Sequence, residues 1–402
     1  MARIPIPCAA VTAHASSRTL RHAGLLLLAL VPALAGCPAV NVPLGDVFGD
    51  GIGPPEAEAI GTRIQVAPGY EIGLYAVVPR AREILATPAG DVLVSVADTG
   101  EIVRLGADRD ADGRPDTQGV LLEGLDRPNG MDLHQGWLYV AEGSAIGRVR
   151  YDVATGQTSG RFERIVEGLP NGGNHWRRTV RFGPDGWLYV TVGSSCNVCE
   201  ESEPWRAAML RFRPDGSEGR LYARGLRNSA DFDWQPTTGA LFATDNGRDL
   251  LGDDYPPCEL DEIVDGGDYG WPVANGDRDP DPDYGEGQQA RIEASLPPVF
   301  SFRPHNAPLG IQFLERPQPG DYRGAAIVAL HGSWNRTEKD GYKFVSLHWD
   351  DDGRIVSRDF VWGFLVDDGV IGRPVDVTEG PDGTIYLSDD YAGVVYRVHA
   401  RD

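Results

Sequence analysis

The chain has 402 residues, 41% hydrophobic and 9% aromatic, with a formal net charge of −22. This is ample apolar material for a large core, and so acidic a surface repels polyanions, which argues against nucleic acid as a partner. Its 51 glycines and 30 prolines are spread along the chain, a pattern of frequent turns between short strands rather than of a disordered linker.

Positive charge is almost entirely arginine, the only lysines being Lys339 and Lys343. The planar guanidinium suits carboxylate or phosphate ligands, although a compositional bias gives the same count. Residues 18–37 read RTLRHAGLLLLALVPALAGC. A basic flank (Arg18, Arg21) precedes an apolar run too short to span a bilayer comfortably, and Leu34-Ala35-Gly36-Cys37 closes it. The pattern predicts a bacterial lipoprotein signal over 1–36, with lipid added to the Cys37 thiol. The alternative is a plain secretory signal in which Cys37 is incidental. Either reading exports the protein, to the periplasm or cell surface, and the lipoprotein reading limits membrane contact to the anchor at Cys37. Small, acidic, Pro/Gly-rich residues 37–62 read as a flexible tether, and 63–402 as one domain.

Export permits disulfides. Cys196-x-x-Cys199 is followed by Glu200 rather than histidine, so it is no haem attachment site, and a zinc site would need a second pair. The expectation is a local Cys196–Cys199 disulfide, with Cys258 unpaired.

From residue 64 a pattern returns: a glycine turn, then an alternating strand. Its instances are ATPAGDVLVSVAD (86–98), HQGWLYVAEG (134–143), GPDGWLYVTVG (183–193), QPTTGALFATDNG (235–247), PGDYRGAAIVALHG (319–332) and GPDGTIYLSDD (380–390). The early spacing is near the period of a four-stranded propeller blade, and six instances predict an all-β, six-bladed β-propeller. No long stretch carries a helical period. GVVYRVHA (393–400) reads as a strand closing the ring against the first blade, which removes exposed sheet edges. The acidic NGDRDPDPDYGEGQQ (275–289) reads as a loop on the rim.

Several constellations carry chemistry. Asp108, Asp110, Asp112 and Asp116, with Gly113 at the bend, match the start of a calcium loop, but Gly119 stands where an EF-hand has glutamate. A surface calcium loop of another kind and a solvated acidic turn both fit. In Arg127-Pro128-Asn129-Gly130, Asn129 faces the central channel or occupies a left-handed turn, and the turn is the simpler reading. NGGNHWRRTVRFGPDG (171–186) sets His175 beside Arg177 and Arg178 on a Gly-rich approach, a titratable base next to fixed positive charge. His175 as an ordinary hydrogen-bonded loop histidine is the plainer reading. GLRNS (225–229), TDNGRD (244–249) and ELDEIVDGGDYGWP (259–272) follow.

In that order, GNHWRRTVRFGPDG, GLRNSADFDW, DNGRD and ELDEIVDGGDYGWP resemble the soluble quinoprotein aldose dehydrogenases, more closely their sorbosone-dehydrogenase-like branch, over about residues 65–400. The resemblance implies a six-bladed β-propeller that binds pyrroloquinoline quinone (PQQ) and calcium and oxidises the hemiacetal carbon of an aldose to a lactone. It implies His175 as general base, and Arg227 and Asn228 at the quinone carbonyls, with Arg227 counted as catalytic. Gly247 and Arg248 would offer backbone carbonyls to the catalytic calcium, and Arg373 would hold a cofactor carboxylate. Three positions depart from the glucose enzymes: Val375 replaces a second arginine, Asn246 replaces glutamine, and the cofactor-binding lysine has only Arg336 and Lys343 as candidates. Glucose is therefore a poor guess for the substrate.

The chemistry is coherent. PQQ's three carboxylates need arginine or lysine, and calcium takes oxygen ligands and acts as a Lewis acid. A histidine among Arg177, Arg178, Arg227 and calcium stays neutral and able to accept a proton. With no haem motif, electrons must leave to a separate acceptor. Two other readings compete: a calcium-dependent lactonase using Asn129 and Asp376 at the axis, and a non-catalytic ligand-binding propeller.

Overall fold

The computed structural model describes residues 51–401. The signal segment, Cys37 and the start of the tether lie outside them. Six antiparallel sheets succeed one another along the chain, with inner strands Ile84–Ala86, Met131–His134, Val180–Phe182, Ser229–Trp234, Pro308–Phe313 and Pro374–Glu379. We number the blades 1 to 6 in that order. Each runs outward from the axis strand by strand, as a propeller requires.

Every instance of the sequence repeat is the turn into the second strand of a blade: Val92–Val96, Trp137–Ala141, Leu188–Val192, Leu241–Asp245, Ala326–Leu330 and Ile385–Asp389. These strands are buried along nearly their whole length because a blade lies on either side. Successive side chains then serve different neighbours. Leu93 packs toward blade 2 while Val92 and Val94 pack toward blade 6. Leu138 and Val140 face blade 1, and Tyr139 and Ala141 face blade 3. The core is thus divided among the blade interfaces, with no single centre.

Closure differs in one respect from the sequence expectation. Val394–Ala400 is the third strand of blade 6, and the outermost strand of that blade is Tyr70–Val77, from the start of the domain. Gln65–Val66 similarly extends blade 5 by pairing with Ile355–Trp362. The described end of the expected tether is seated on the ring. The Ile52 amide bonds the Tyr391 carbonyl at 3.0 Å, and a short 3-10 turn covers Ala57–Ala59. The acidic insertion, read as plain loop, carries a two-residue ladder (Ala274–Asn275 with Asp279–Pro280) and a six-residue helix, Gln289–Ala294.

Candidate active site

Two kinds of loop share one face of the ring: those leading into an inner strand, and those linking the second strand of a blade to its third. The first kind carries Arg82 and Glu83, Asn129, His175 to Arg178, Arg227 and Asn228, and Arg373. The second carries Ser194 to Cys199, Asn246 to Asp249, His331 to Arg336, and Asp390. Residues far apart in sequence are therefore brought together by topology alone.

His175 and Arg227 converge. A side chain at Gly193 would meet His175 Cβ at 2.6 Å and Asn228 Oδ1 at 3.1 Å, so only glycine lets the two loops close. Ser194 joins them: its amide donates to the Arg227 carbonyl at 2.8 Å, and its Oγ lies 2.8 Å from His175 Nδ1. Ser194 Oγ gives its own proton to the Cys196 carbonyl at 2.7 Å, and the Ser194 carbonyl, 3.1 Å from Nδ1, can only accept. Both contacts therefore require Nδ1 to carry hydrogen, which leaves Nε2 as the proton-accepting nitrogen. Burial, then Arg227 and Arg177, hold the imidazole well below its ordinary pKa. His175 is thus a neutral imidazole with a fixed tautomer.

Arg227 is more constrained than the sequence suggests. All five of its N–H groups are engaged: Nε with the Asn197 carbonyl, Nη1 with the carbonyls of Asn246 and Gly247, and Nη2 with Asn197 Oδ1 and Asp249 Oδ2. Contact with a bound ligand requires exchanging one of these bonds. Asn228 makes no side-chain hydrogen bond among the described residues and presents its amide beside Gly193. The expected Cys196–Cys199 disulfide is present and closes the loop that carries Asn197. Cys258 is free and buried, and burial pushes its thiol up to about 11.

Gly247 presents its carbonyl to Arg227 at 2.9 Å, with a second lone pair left for a cation. The Arg248 side chain turns away to Asp281 and Asp283, at 2.7 and 2.9 Å, and so pins the acidic insertion. Arg373 donates to the carbonyls of His331 and Gly332. The two lysine surrogates are engaged elsewhere. Arg336 ties the Asp253 and Pro304 carbonyls together, and Lys343, on the third strand of blade 5, pairs with Asp359 at 2.6 Å. The structure does not bring Lys343 to the axis.

Sequence reasoning missed a second cluster. Asp390 accepts from Arg82 and lies 3.0 Å from His331 Nε2. Burial works to raise the Asp390 pKa, but His331 and Arg82 hold it far below the carboxylate range. Burial, then Arg373, lowers His331 to about 3. Arg177 lies within electrostatic reach of Arg82 and Arg373, and its guanidinium makes no hydrogen bond or ion pair among the described residues. Burial, then Arg82, lowers it to about 9. Arg177 is half-buried between the cations Arg82 and Arg373 and the anions Asp390 and Glu83, and its guanidinium is left able to take an anionic group.

At the axis, Asn129 is a channel residue; the left-handed conformation falls on Arg127 (φ 49°) instead. Asn129 Nδ2 donates to Glu83 Oε2 at 2.7 Å, which also accepts from Thr179 Oγ1 at 3.0 Å. Asp231 pairs with Arg181. Asp376 accepts from the Ile84 amide, and its Oδ1 has no partner. Burial, then Asp231, raises Asp376 to about 7, and Glu83 is raised by burial, Asp376 and Asp231. Asn129 is thus held by Glu83 and Asp231 by Arg181, while Asp376 keeps one oxygen without a partner.

In the outer loop of blade 1, oxygens of Asp108, Asp110 and Asp116 lie within 4.8 Å of one another. Asp112 is not part of that group and accepts the Arg114 amide.

A six-bladed β-propeller with a basic, histidine-bearing face defines the class. The family model described as "Glucose / Sorbosone dehydrogenase" matches residues 135–397, well over half of the chain. The chain belongs to that family. An uncharacterized protein of Borreliella burgdorferi is 34% identical over 53% of this chain and 57% of its own length, so the alignment spans little more than half of that relative. The aldose sugar dehydrogenase YliI of Escherichia coli is 23% identical over 71% of this chain and 78% of its own length. Among solved structures, the holo PQQ domain of Coprinopsis cinerea pyranose dehydrogenase superposes with a TM-score of 0.71 at 22% identity, over 84% of this chain and 97% of that one. A Trichoderma reesei family AA12 carbohydrate-active enzyme gives 0.73 at 21% identity, over 84% and 98%. Both likenesses establish the fold.

Proposed function

We propose that the protein is an exported, lipid-anchored quinoprotein that oxidises an aldose or related aldehyde, in its hemiacetal form, with PQQ and calcium. The observation that carries this reading is His175, whose Nε2 is left as a proton acceptor beside the guanidinium groups of Arg227 and Arg177.

The residues fit the cofactor. In a chain of net charge −22, Arg82, Arg177 and Arg373 gather near one point, matching a ligand with several carboxylates. The Gly247 and Arg248 carbonyls offer the oxygen donors calcium needs. Bound PQQ supplies a hydride acceptor, and calcium a Lewis acid at its carbonyl.

The chain's own part is acid–base chemistry and positioning. His175 Nε2 takes the proton of the substrate's anomeric hydroxyl, and Ser194 keeps Nδ1 protonated throughout. Arg227 holds the 246–249 loop against the loop of Asn197, and Asn228 offers a free amide to the reacting end. Asp108, Asp110 and Asp116 are a second candidate calcium site, remote from the chemistry. Electrons leave to a separate carrier.

The test is reconstitution. Purified protein with PQQ and calcium should reduce an artificial dye when given aldoses, and His175→Ala should not. Lactone hydrolysis without PQQ would replace this reading with the lactonase. PQQ binding without turnover of any aldose or aldehyde would leave a ligand-binding propeller.

A further inference from the structure

The face that carries His175 and Arg227 also leaves two apolar side chains in water. Leu250, in the 246–257 loop of blade 4, is 70% exposed, and Trp334, in the 331–342 loop of blade 5, is 42% exposed. Among the described large apolar residues Leu250 is the most exposed, and Trp334 is the one exposed aromatic. They are the chain neighbours of Asp249 and Asn335, which are joined by a hydrogen bond from Asn335 Nδ2 to Asp249 Oδ1 at 3.1 Å. Asp249 is tied to the site as well. Its Oδ2 accepts from Arg227 at 3.0 Å, and its carbonyl accepts from Asn197 Nδ2 at 3.1 Å. The apolar pair is thus held one residue away from the Arg227 network.

Negative charge flanks it. Residues 196–206, 248–254 and 275–289 hold eleven carboxylates against three arginines, which is more than a third of the chain's net charge of −22. Arg248 seats the acidic insertion beside its own loop through Asp281 and Asp283. Arg206 and Arg248 are buried, whereas Glu200, Glu203, Asp254, Asp277, Asp279 and Asp283 are exposed. In these three stretches Arg278 is the one exposed cation. An apolar centre with a charged rim is the layout of a protein docking site. The sign of the rim selects the partner. It repels a second copy of this chain and an anionic lipid surface, and it attracts a basic protein. Two apolar side chains suit the small, brief encounters of redox partners, not a permanent complex.

We infer that Leu250, Trp334 and this acidic arc dock a small, basic, one-electron carrier protein. Its role rests on the function proposed above, since it takes the electrons of the sugar oxidation. Converting a hemiacetal to a lactone releases two electrons and two protons. Each carrier is reduced by one electron and the protons pass to water, so two carriers dock in turn for every substrate oxidised. Attraction by the arc speeds each arrival, and the small apolar contact lets the reduced carrier leave.

Binding is measured first on PQQ-free protein, by surface plasmon resonance, with basic cytochrome c as the probe and acidic flavodoxin as the control. Cytochrome c should bind at low ionic strength and more weakly as salt rises, and flavodoxin should not bind. Leu250→Ser with Trp334→Ser should weaken cytochrome c binding roughly tenfold. Asp277→Asn with Asp279→Asn should weaken it more than Asp351→Asn with Asp352→Asn. The latter pair removes the same charge from the opposite face, in the turn between the third and fourth strands of blade 5. Equal binding by the two charge variants, or by the apolar variant and the unaltered protein, would overturn the inference. Turnover of the PQQ-loaded protein with a small dye then separates it from the function it rests on. The apolar variant should oxidise aldoses with the dye as the unaltered protein does. A raised aldose KM would assign Leu250 and Trp334 to the substrate and overturn the docking role. Dye-linked turnover without cytochrome c binding keeps the quinoprotein reading and ends this one, whereas no dye-linked turnover in the unaltered protein strikes that reading and the carrier's role with it.

Discussion

Arg177 and Val375 line the same small cavity at the top of the ring axis, one from the loop leading into blade 3 and the other from the innermost strand of blade 6. Val375 stands where the glucose enzymes resembled by this sequence carry an arginine. The charge absent from one wall of the cavity is therefore present on another. Arg177→Gln should weaken PQQ binding by roughly 10- to 150-fold, the range for a charged hydrogen bond worth about 1.5–3 kcal/mol. Quenching of protein fluorescence by added PQQ measures it directly. An affinity equal to that of the unaltered protein would leave the carboxylates to Arg82 and Arg373 and end this assignment.

The fold was largely legible because each blade contributes one strongly patterned strand. The turn before the second strand and the burial of that strand on both faces leave the same mark six times over. The strand Tyr70–Val77 was not recognised as part of blade 6, since nothing local in a strand names its partner. In the site, His175 and Arg373 stood out as titratable or charged residues beside glycine. Ser194, Asn197 and Asp390 did not, because serine, asparagine and aspartate are common in loops and their roles here come from neighbours distant in sequence. Asp390, for example, meets Arg82 from the opposite end of the chain.

The tie between His175 and Ser194 predicts a pH effect. Turnover requires neutral imidazole, and the folded protein holds the His175 pKa well below 6.5 by burial and by Arg227 and Arg177. The acid limb of the turnover profile should therefore lie below the ordinary histidine range. His175→Ala should cost roughly 10²- to 10⁴-fold in kcat. Ser194→Ala should lower kcat by a smaller factor, since the backbone carbonyl of residue 194 still accepts from Nδ1–H, while PQQ affinity holds. An acid limb at the ordinary histidine pH in the unaltered enzyme would show that His175 is not the base.

Stability should depend on pH through the axis. The folded state raises Asp376 to about 7, mainly by burial and then by Asp231, above its unfolded value of roughly 4. Folding thus favours the protonated acid. The contribution is fully present below about pH 4 and is lost as pH rises toward 7. Asp376→Asn should remove that decline and leave the variant more stable than the parent at pH 8, as an amide can donate toward Glu83 or Asp231. Thermal melts at pH 5 and pH 8 test it. A variant less stable than the parent at both values would mean the carboxylate is favourable as an anion.

Asn197 offers the last test, of how the disulfide loop serves the site. Its carbonyl and Oδ1 accept from Arg227 Nε and Nη2 at 2.8 Å, and Oδ1 also accepts from the Asp249 amide at 2.8 Å. Asn197→Ala keeps the carbonyl but leaves the Nη2 proton and the Asp249 amide without that acceptor, at a cost of about 1–3 kcal/mol for each such group that stays dry. Replacing Cys196 and Cys199 with serine should cost about 2 kcal/mol by loop entropy alone. The two changes should not add, because both loosen the same hold on Arg227. A double-mutant cycle on chemical unfolding would give a coupling near zero if the disulfide merely braces the surface. A coupling of about 1 kcal/mol would mean that it positions Asn197 for Arg227.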